Sequence, residues 1–173
     1  YELEWPASVM EKPAVKVIKT SQSITKLCTG IIECYRKGKG ETTIIKGSEF
    51  RAEEAVFYIN SVKEMVKVIK ALKLRPDEVN IICSSTLENI DKLKALSKET
   101  GMKYKIGDIP GKGESHKMFT LCTSTVYVGA DFYSTNAYSY IFANPHVESL
   151  TIDISVDIQQ IIGRQRLEAN PFR

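Results

Sequence analysis

Apolar positions follow two alternating rhythms along the chain. Ala55-Val-Phe-Tyr-Ile59 and Val79-Asn-Ile-Ile-Cys83 are short, nearly continuous apolar runs, the pattern of strands buried on both faces of a parallel sheet. Each run precedes a stretch with helical spacing: Val62, Met65, Val66, Ile69 and Leu72 after the first, and Leu87, Ile90, Leu93 and Leu96 after the second. Such stripes bury one side of a helix, leaving Lys63, Lys67 and Lys70 in water. Ser85 and Glu88 have capping-box spacing at the start of the second helix, and Gly101 ends it. Further strands are predicted over 118–123 and over 138–142. This alternation predicts an α/β fold, an open and mostly parallel sheet with helices on both faces and right-handed crossovers.

Upstream, Ile24, Leu27, Cys28, Ile31 and Tyr35 predict a helix that begins at Ser21 or Ser23 and stops at Gly38 or Gly40. Its basic end, Arg36 to Lys39, suits a helix C-terminus. Residues 14–19 alternate as a short strand does, and 41–53 are polar with no clear period. Residues 1–20 therefore read as a leading segment or linker, and 21–173 as one domain. Near the other end, Ser155 is placed to cap a helix from Val156 whose apolar face is Ile158, Ile161 and Ile162. Gly163 follows, where Gly costs about 1 kcal/mol relative to Ala in a helix interior, so a second surface is expected to approach closely there.

Composition narrows the function without naming it. The chain has 173 residues, 43% of them hydrophobic, and a net charge of +3, enough for one domain with a sizeable core but too little charge to force a nucleic-acid reading. No apolar run could span a bilayer and no secretory pattern is present, so a membrane is not an expected partner and a cytoplasmic location is. Cys28, Cys34, Cys83 and Cys122 form no Cys-x-x-Cys pair, which points to reduced thiols and no metal site. The sequence opens on Tyr1 and stops at Arg173, soon after an arginine pair, and reads as a piece of something longer. Gly107-Asp-Ile-Pro-Gly-Lys-Gly113 is not a P-loop: three residues separate Gly107 from Gly111, and Gly113 stands where Ser or Thr must hold magnesium. Residues 106–116 read as a loop. There is no acidic metal-holding box either, and His116 and His146 lack partners for catalysis. This chain alone is not expected to hydrolyse ATP.

The remaining chemistry lies in two stretches. Phe119 to Asp131 runs from an apolar strand into Thr123-Ser-Thr125 and ends in Gly129-Ala-Asp131. Asp157 to Arg166 carries Gln160, Gly163, Arg164 and Arg166. Planar guanidinium groups beside a Gln at a helix end make a phosphate clamp, although a solvated basic helix end has the same composition. In an open parallel sheet, ligands gather at the carboxyl ends of strands. That is where Asn60-Ser61, Ser84-Ser85, Thr123-Ser124 and the Gln160 to Arg166 segment are expected.

Taken in order, Thr123-Ser124, Gly129 with Asp131, and Gln160-x-x-Gly163-Arg164 resemble motifs V and VI of the superfamily 2, DEAD-like helicases. From about residue 54 onward the chain is similar to the C-terminal RecA-like domain of that family, with Asn60-Ser61 resembling motif IV. The resemblance implies a second motor domain that donates an arginine finger, Arg164, with Arg166 and Gln160 beside it. It places Gly129, Asp131 and Gly163 near nucleotide, and Asn60, Ser61, Ser84, Ser85, Thr123 and Ser124 on the nucleic-acid backbone. ATP and Mg2+ belong to the full-length protein, bound against an N-terminal RecA-like domain of the same chain. The polymer partner is single-stranded or duplex nucleic acid, DNA favoured over RNA. Many relatives place a second arginine three residues after the first; here Leu167 stands there and Arg166 falls two after. Gly-Arg-x-Arg is more similar to the herpesvirus origin-binding helicases and related phage or mobile-element proteins, and it leaves the role of Arg166 open. Competing accounts make Asn60 and Ser61 simple helix caps and Gly129 a plain turn. At the level of the whole protein, the domain is instead the translocase of a restriction or nuclease system, or a non-hydrolysing nucleic-acid-binding module.

Overall fold

The computed structural model describes residues 15–173. In order, α1 spans Ile24–Arg36, β1 Thr42–Ile45, β2 Ser48–Arg51, β3 Glu54–Tyr58, α2 Val62–Leu72, β4 Val79–Ile82, α3 Leu87–Thr100, β5 Phe119–Cys122 and β6 Ala137–Ile141. A π-helical turn at Ile154–Ile158 then runs into α4, Gln159–Ile162. The main sheet has four parallel strands in the order β4-β5-β3-β6. β5 inserts between β3 and β4, so the chain crosses over through α2 and returns, as parallel pairing demands.

Alternation along β3 divides the core in two. Ala55, Phe57 and Ile59 face α1, α2 and α3, meeting Cys28 and Ile32 of α1, Met65, Val68 and Ile69 of α2, and Leu93 and Leu96 of α3. Val56 and Tyr58 face the other way, onto Val126, Tyr127, Phe132 and Ile161. Helices thus lie on both faces but unequally: three long ones cover the first, while α4 and the loop after β5 cover the second. Among the described residues no helix is long and apolar enough to cross a membrane.

Several expectations shift by a residue or a turn. In α2 it is Val68 that is buried, Val66 being only half-buried. The cap of α3 is Thr86, whose hydroxyl accepts from the Asn89 N–H at 3.2 Å, and not Ser85. Glu88 pairs instead with Lys92 one turn on, at 2.6 Å. That start puts Leu87 at the first helical position on the wet side, where it is 81% exposed and adds nothing to the stripe. α1 begins after Ser23, which caps it, and ends at Arg36. Residues 15–20 form no strand; Ala14 lies outside the described residues.

The region 41–53 is a hairpin. Lys46 and Gly47 carry φ of 49° and 82° between Ile45 and Ser48, the positive pair that a two-residue primed turn requires. Its sequence signal was Lys-Gly alone, because both strands are almost wholly exposed and neither alternates. The 106–116 segment starts as a tether on the sheet edge: the Gly107 N–H donates to the Ile81 carbonyl at 2.8 Å. A Cβ on Gly107 would lie 1.9 Å from Asn80 Oδ1, so this glycine is explained by close packing on β4.

Candidate functional site

The rim formed by the carboxyl ends of β4, β5 and β3 carries the first group of candidate residues. The ladder continues past the strands, with the Thr123 N–H on the Ile82 carbonyl at 3.1 Å and the Ile59 N–H on the Cys122 carbonyl at 2.9 Å. Asn60 then turns its side chain across β3 and β5, its Oδ1 accepting from the Ser124 N–H at 2.9 Å. Ser61 caps α2, its hydroxyl accepting from the Glu64 N–H at 3.3 Å. The cap therefore belongs to Ser61 alone, and Asn60 is a strand-to-strand tie. Thr123 is buried, with its hydroxyl 3.1 Å from that of Thr125, so Ser124 is the exposed member of the pair. Ser84 receives the Asn89 side-chain amide on both its carbonyl, at 3.0 Å, and its hydroxyl, at 3.2 Å, and Ser85 is exposed beside it.

The second group gathers over the second face of the sheet. Asp153 caps the helical run, accepting from Ser155 N–H at 2.7 Å and Val156 N–H at 3.1 Å, while Asp157 accepts back from the Asp153 N–H at 2.9 Å. This is a reciprocal cap, one residue wider than usual because the first turn is π. The expected Ser155 cap is thereby displaced two residues upstream, to Asp153; an Asp cap suits a helix N-terminus. Hydrogen bonds from Ser155 first, then the backbone N–H groups, hold the Asp153 carboxyl below its ordinary range. Gly163 ends α4 at φ −74°, and a Cβ there would meet only Gln159 O at 3.7 Å and Gln160 O at 3.9 Å. Nothing in the described chain approaches it closely, contrary to expectation.

Past Gly163 the chain runs beside the loop that follows β5. Phe132 N–H donates to the Arg164 carbonyl at 2.8 Å and Arg166 N–H to the Phe132 carbonyl at 2.9 Å. Gln165 between them is buried, and its side-chain nitrogen has no partner. The flanking arginines converge on one carboxylate: Asp131 Oδ1 lies 2.8 Å from Arg166 Nε and 3.7 Å from Arg164 Nη1. Gly129, at φ 76°, is a true left-handed turn two residues earlier; an added Cβ there meets nothing, so backbone conformation is what the glycine supplies. The tail then crosses to the amino end of β6, where the buried Asn170 amide donates to the Ala137 carbonyl at 3.1 Å. The arginine pair consequently lies on the segment that runs beside the loop after β5, over the second face of the sheet.

Burial beneath the pair is apolar and aromatic. The Tyr58 ring sits 6.4 Å from Phe132, edge to face, and 6.0 Å from Tyr127. Burial pushes the Tyr58 hydroxyl and the Cys122 thiol well above their usual ranges. Gln165, Asn170 and Phe132 position the site, yet only Asn170 had a sequence signal, as an Asn-Pro turn. No group of three or more His, Cys, Asp or Glu among the described residues could hold a metal ion. The candidate residues thus fall into two groups joined by one segment: Ser124 at its start ties to Asn60, and Asp131 at its end holds both arginines. No family model, curated protein or solved structure matches the chain.

Proposed function

We propose that this chain is the second, arginine-donating RecA-like domain of an ATP-driven helicase or translocase of the superfamily 2 type. The observation that carries the reading is the 124–131 segment, which contacts Asn60 at one end and Arg164 and Arg166 at the other. A segment so anchored couples a rim suited to nucleic-acid phosphates with an arginine surface suited to nucleotide phosphates. ATP binds between a P-loop domain carried elsewhere in the protein and the arginine surface. Water attacks the γ-phosphorus and the bond to the β-bridging oxygen breaks, releasing ADP, inorganic phosphate and a proton. The guanidinium charge stabilises the negative charge that the transferring phosphoryl group carries in the transition state. Domain closure on ATP and opening after hydrolysis move the rim along a bound strand, DNA in preference to RNA, through backbone contacts that read little sequence. The protein works in the cytoplasm.

A second reading has one observation in its favour. Arg164 is turned inward, its Nε on the Gln160 carbonyl at 2.7 Å and its Nη1 on the Ala130 carbonyl at 3.2 Å, as a non-hydrolysing nucleic-acid-binding module would have it. The deciding experiment is ATP hydrolysis by the longest natural chain containing these residues, with and without single-stranded DNA, against the Arg164→Ala/Arg166→Ala double variant. Strand-stimulated hydrolysis that falls about a thousandfold in the variant supports the motor. Absence of hydrolysis, or hydrolysis that the double variant leaves intact, overturns it.

A further inference from the structure

On the first face of the sheet, away from the arginines, a cavity of about 290 Å³ lies between α1, the segment 39–42 and Tyr140 of β6. Its walls are held by backbone bonds: the Lys39 N–H donates to the Cys34 carbonyl at 2.8 Å, and the Ala52 N–H to the Glu41 carbonyl at 2.7 Å. The two glycines that line it differ. At Gly40 a Cβ would collide with the Ala52 carbonyl oxygen at 2.1 Å, so packing explains that residue. Gly30 sits midway along α1, where glycine is less favourable than alanine, yet a Cβ there would meet nothing within 4 Å. Its φ is not positive either, so neither packing nor backbone conformation among the described residues calls for it. A bare patch of helix backbone beside a cavity lets the body of a ligand approach closely.

The polar side of the cavity is a set of acceptors. The Tyr35 and Tyr140 hydroxyls lie 3.3 Å apart, and the Tyr140 hydroxyl donates to Glu41 Oε1, also at 3.3 Å. Burial pushes the Tyr35 phenol up to about 12 and raises Tyr140 as well, so both stay protonated at neutral pH. Each has one hydrogen to give, and the relay from Tyr35 to Tyr140 to Glu41 uses both, leaving lone pairs on all three residues. O–H···O bonds ordinarily measure about 2.5–3.0 Å. Both links are therefore stretched, and a stronger donor can take them over. Glu41 makes no ion pair among the described residues. Lys39 also lines the cavity, but it is exposed and its flexible stem lets the ammonium sit in water.

We propose that this cavity binds a small primary amine in its ammonium form. The three N–H donors meet the oxygens of Glu41, Tyr140 and Tyr35, and the carbon skeleton lies against Gly30 and Ile31. Binding is non-covalent, and the volume, at the low end for small-molecule sites, restricts the ligand to a compact skeleton. The site is independent of the motor reading, whose arginines lie over the opposite face.

The test titrates the full natural chain with three probes of one shape and different charge, benzylamine, benzyl alcohol and benzoate, at constant ionic strength. Cys34, the exposed thiol on the cavity wall, reports occupancy through its rate of alkylation by iodoacetamide. Benzylamine is expected to bind with a Kd of about 0.1–1 mM and to slow alkylation severalfold near saturation. Benzyl alcohol is expected to bind about tenfold more weakly, and benzoate to give no protection. Glu41→Gln keeps an acceptor without the charge and should bring benzylamine down to the affinity of benzyl alcohol. Gly30→Leu fills the gap from an exposed helical position, so it should melt at or above the unaltered protein while binding benzylamine about tenfold more weakly. Equal binding of the three probes, benzylamine affinity that survives Glu41→Gln, or unaltered affinity in Gly30→Leu overturns the assignment. So does unprotected Cys34 in benzylamine at about 10 mM.

Discussion

The side-chain oxygen of Asn60 accepts the backbone N–H of Ser124 at 2.9 Å, tying the residue beyond β3 to the residue beyond β5. Tyr58 already stands opposite Cys122 in the ladder, so the bond tightens an existing rim. Asn60→Ala removes the acceptor and is expected to cost about 0.5–1.5 kcal/mol, a loss of about 1–6 °C in a domain of this size. Asn60→Asp keeps an acceptor, so melting recovers, but it sets a negative charge where a nucleic-acid phosphate is proposed to lie. Single-stranded DNA should bind the Asp variant several-fold more weakly than the unaltered protein at low salt. Equal affinity in a filter-binding or anisotropy titration would remove the rim from the nucleic-acid contact.

Buried thiols and phenols make the fold sensitive to alkali. Burial, with a smaller contribution from Glu64, pushes the Cys28 thiol up to about 12, and burial likewise raises Cys122 and Tyr58. In the unfolded chain these groups ionise from about pH 8.5 for thiols and about pH 10 for phenols, whereas in the fold they stay neutral. Their stabilisation is therefore complete below about pH 8.5 and lost as pH rises toward the folded values, by at most about 1.4 kcal/mol per pH unit for each group. Denaturant midpoints should fall between about pH 9 and 11. Under native conditions a thiol reagent should modify the exposed Cys34 quickly and the buried Cys28, Cys83 and Cys122 only on unfolding. More than one fast-reacting thiol would mean that the core opens locally.

The carboxyl cap at Asp153 predicts the opposite dependence at low pH. Bonds from Ser155 hold its carboxyl below the ordinary value, so the stabilisation it gives is present above about pH 4 and disappears as pH falls through the folded value. Asp153→Asn retains an acceptor but not the charge, and should flatten that part of the pH profile. Circular dichroism of the two proteins between about pH 5 and pH 2 checks it; parallel curves would show that the cap's charge contributes nothing.

Strands and long helices were legible because burial writes itself into the sequence. β3, β4 and β5 are buried at nearly every position, and the continuous apolar runs said so. The exposed hairpin left no such trace, and α3 was offset because Ser84, Ser85 and Thr86 are all good caps and only the packed structure selects Thr86. Asp131 and the arginines were found one by one in the sequence. Their shared contact was not legible, since it depends on the bridge between Phe132 and Gln165, a pairing with no local signal. The inward turn of Arg164 has the same origin: carbonyls of Gln160 and Ala130 are invisible to residue type.

Two glycines separate a packing role from a functional one. At Gly107 a Cβ would collide with Asn80 Oδ1 at 1.9 Å, and Asn80 is only 8% exposed with its amide on the Asp108 carbonyl at 2.8 Å. Gly107→Ala must expel or strand that amide, at about 1–3 kcal/mol, and its melting temperature should fall accordingly. At Gly163 the backbone is helical in sign, φ −74°, and the nearest atoms to a new Cβ are in ordinary contact at 3.7 Å and 3.9 Å. Gly163→Ala should therefore melt at or slightly above the unaltered protein, by up to about 1 kcal/mol. If the surface that needs this glycine belongs to the ATP-bearing domain or to nucleotide, the same variant in the full natural chain loses about tenfold or more of its strand-stimulated hydrolysis. A Gly163→Ala protein unaltered in both melting and hydrolysis would make the glycine a simple helix end and withdraw it from the proposed interface.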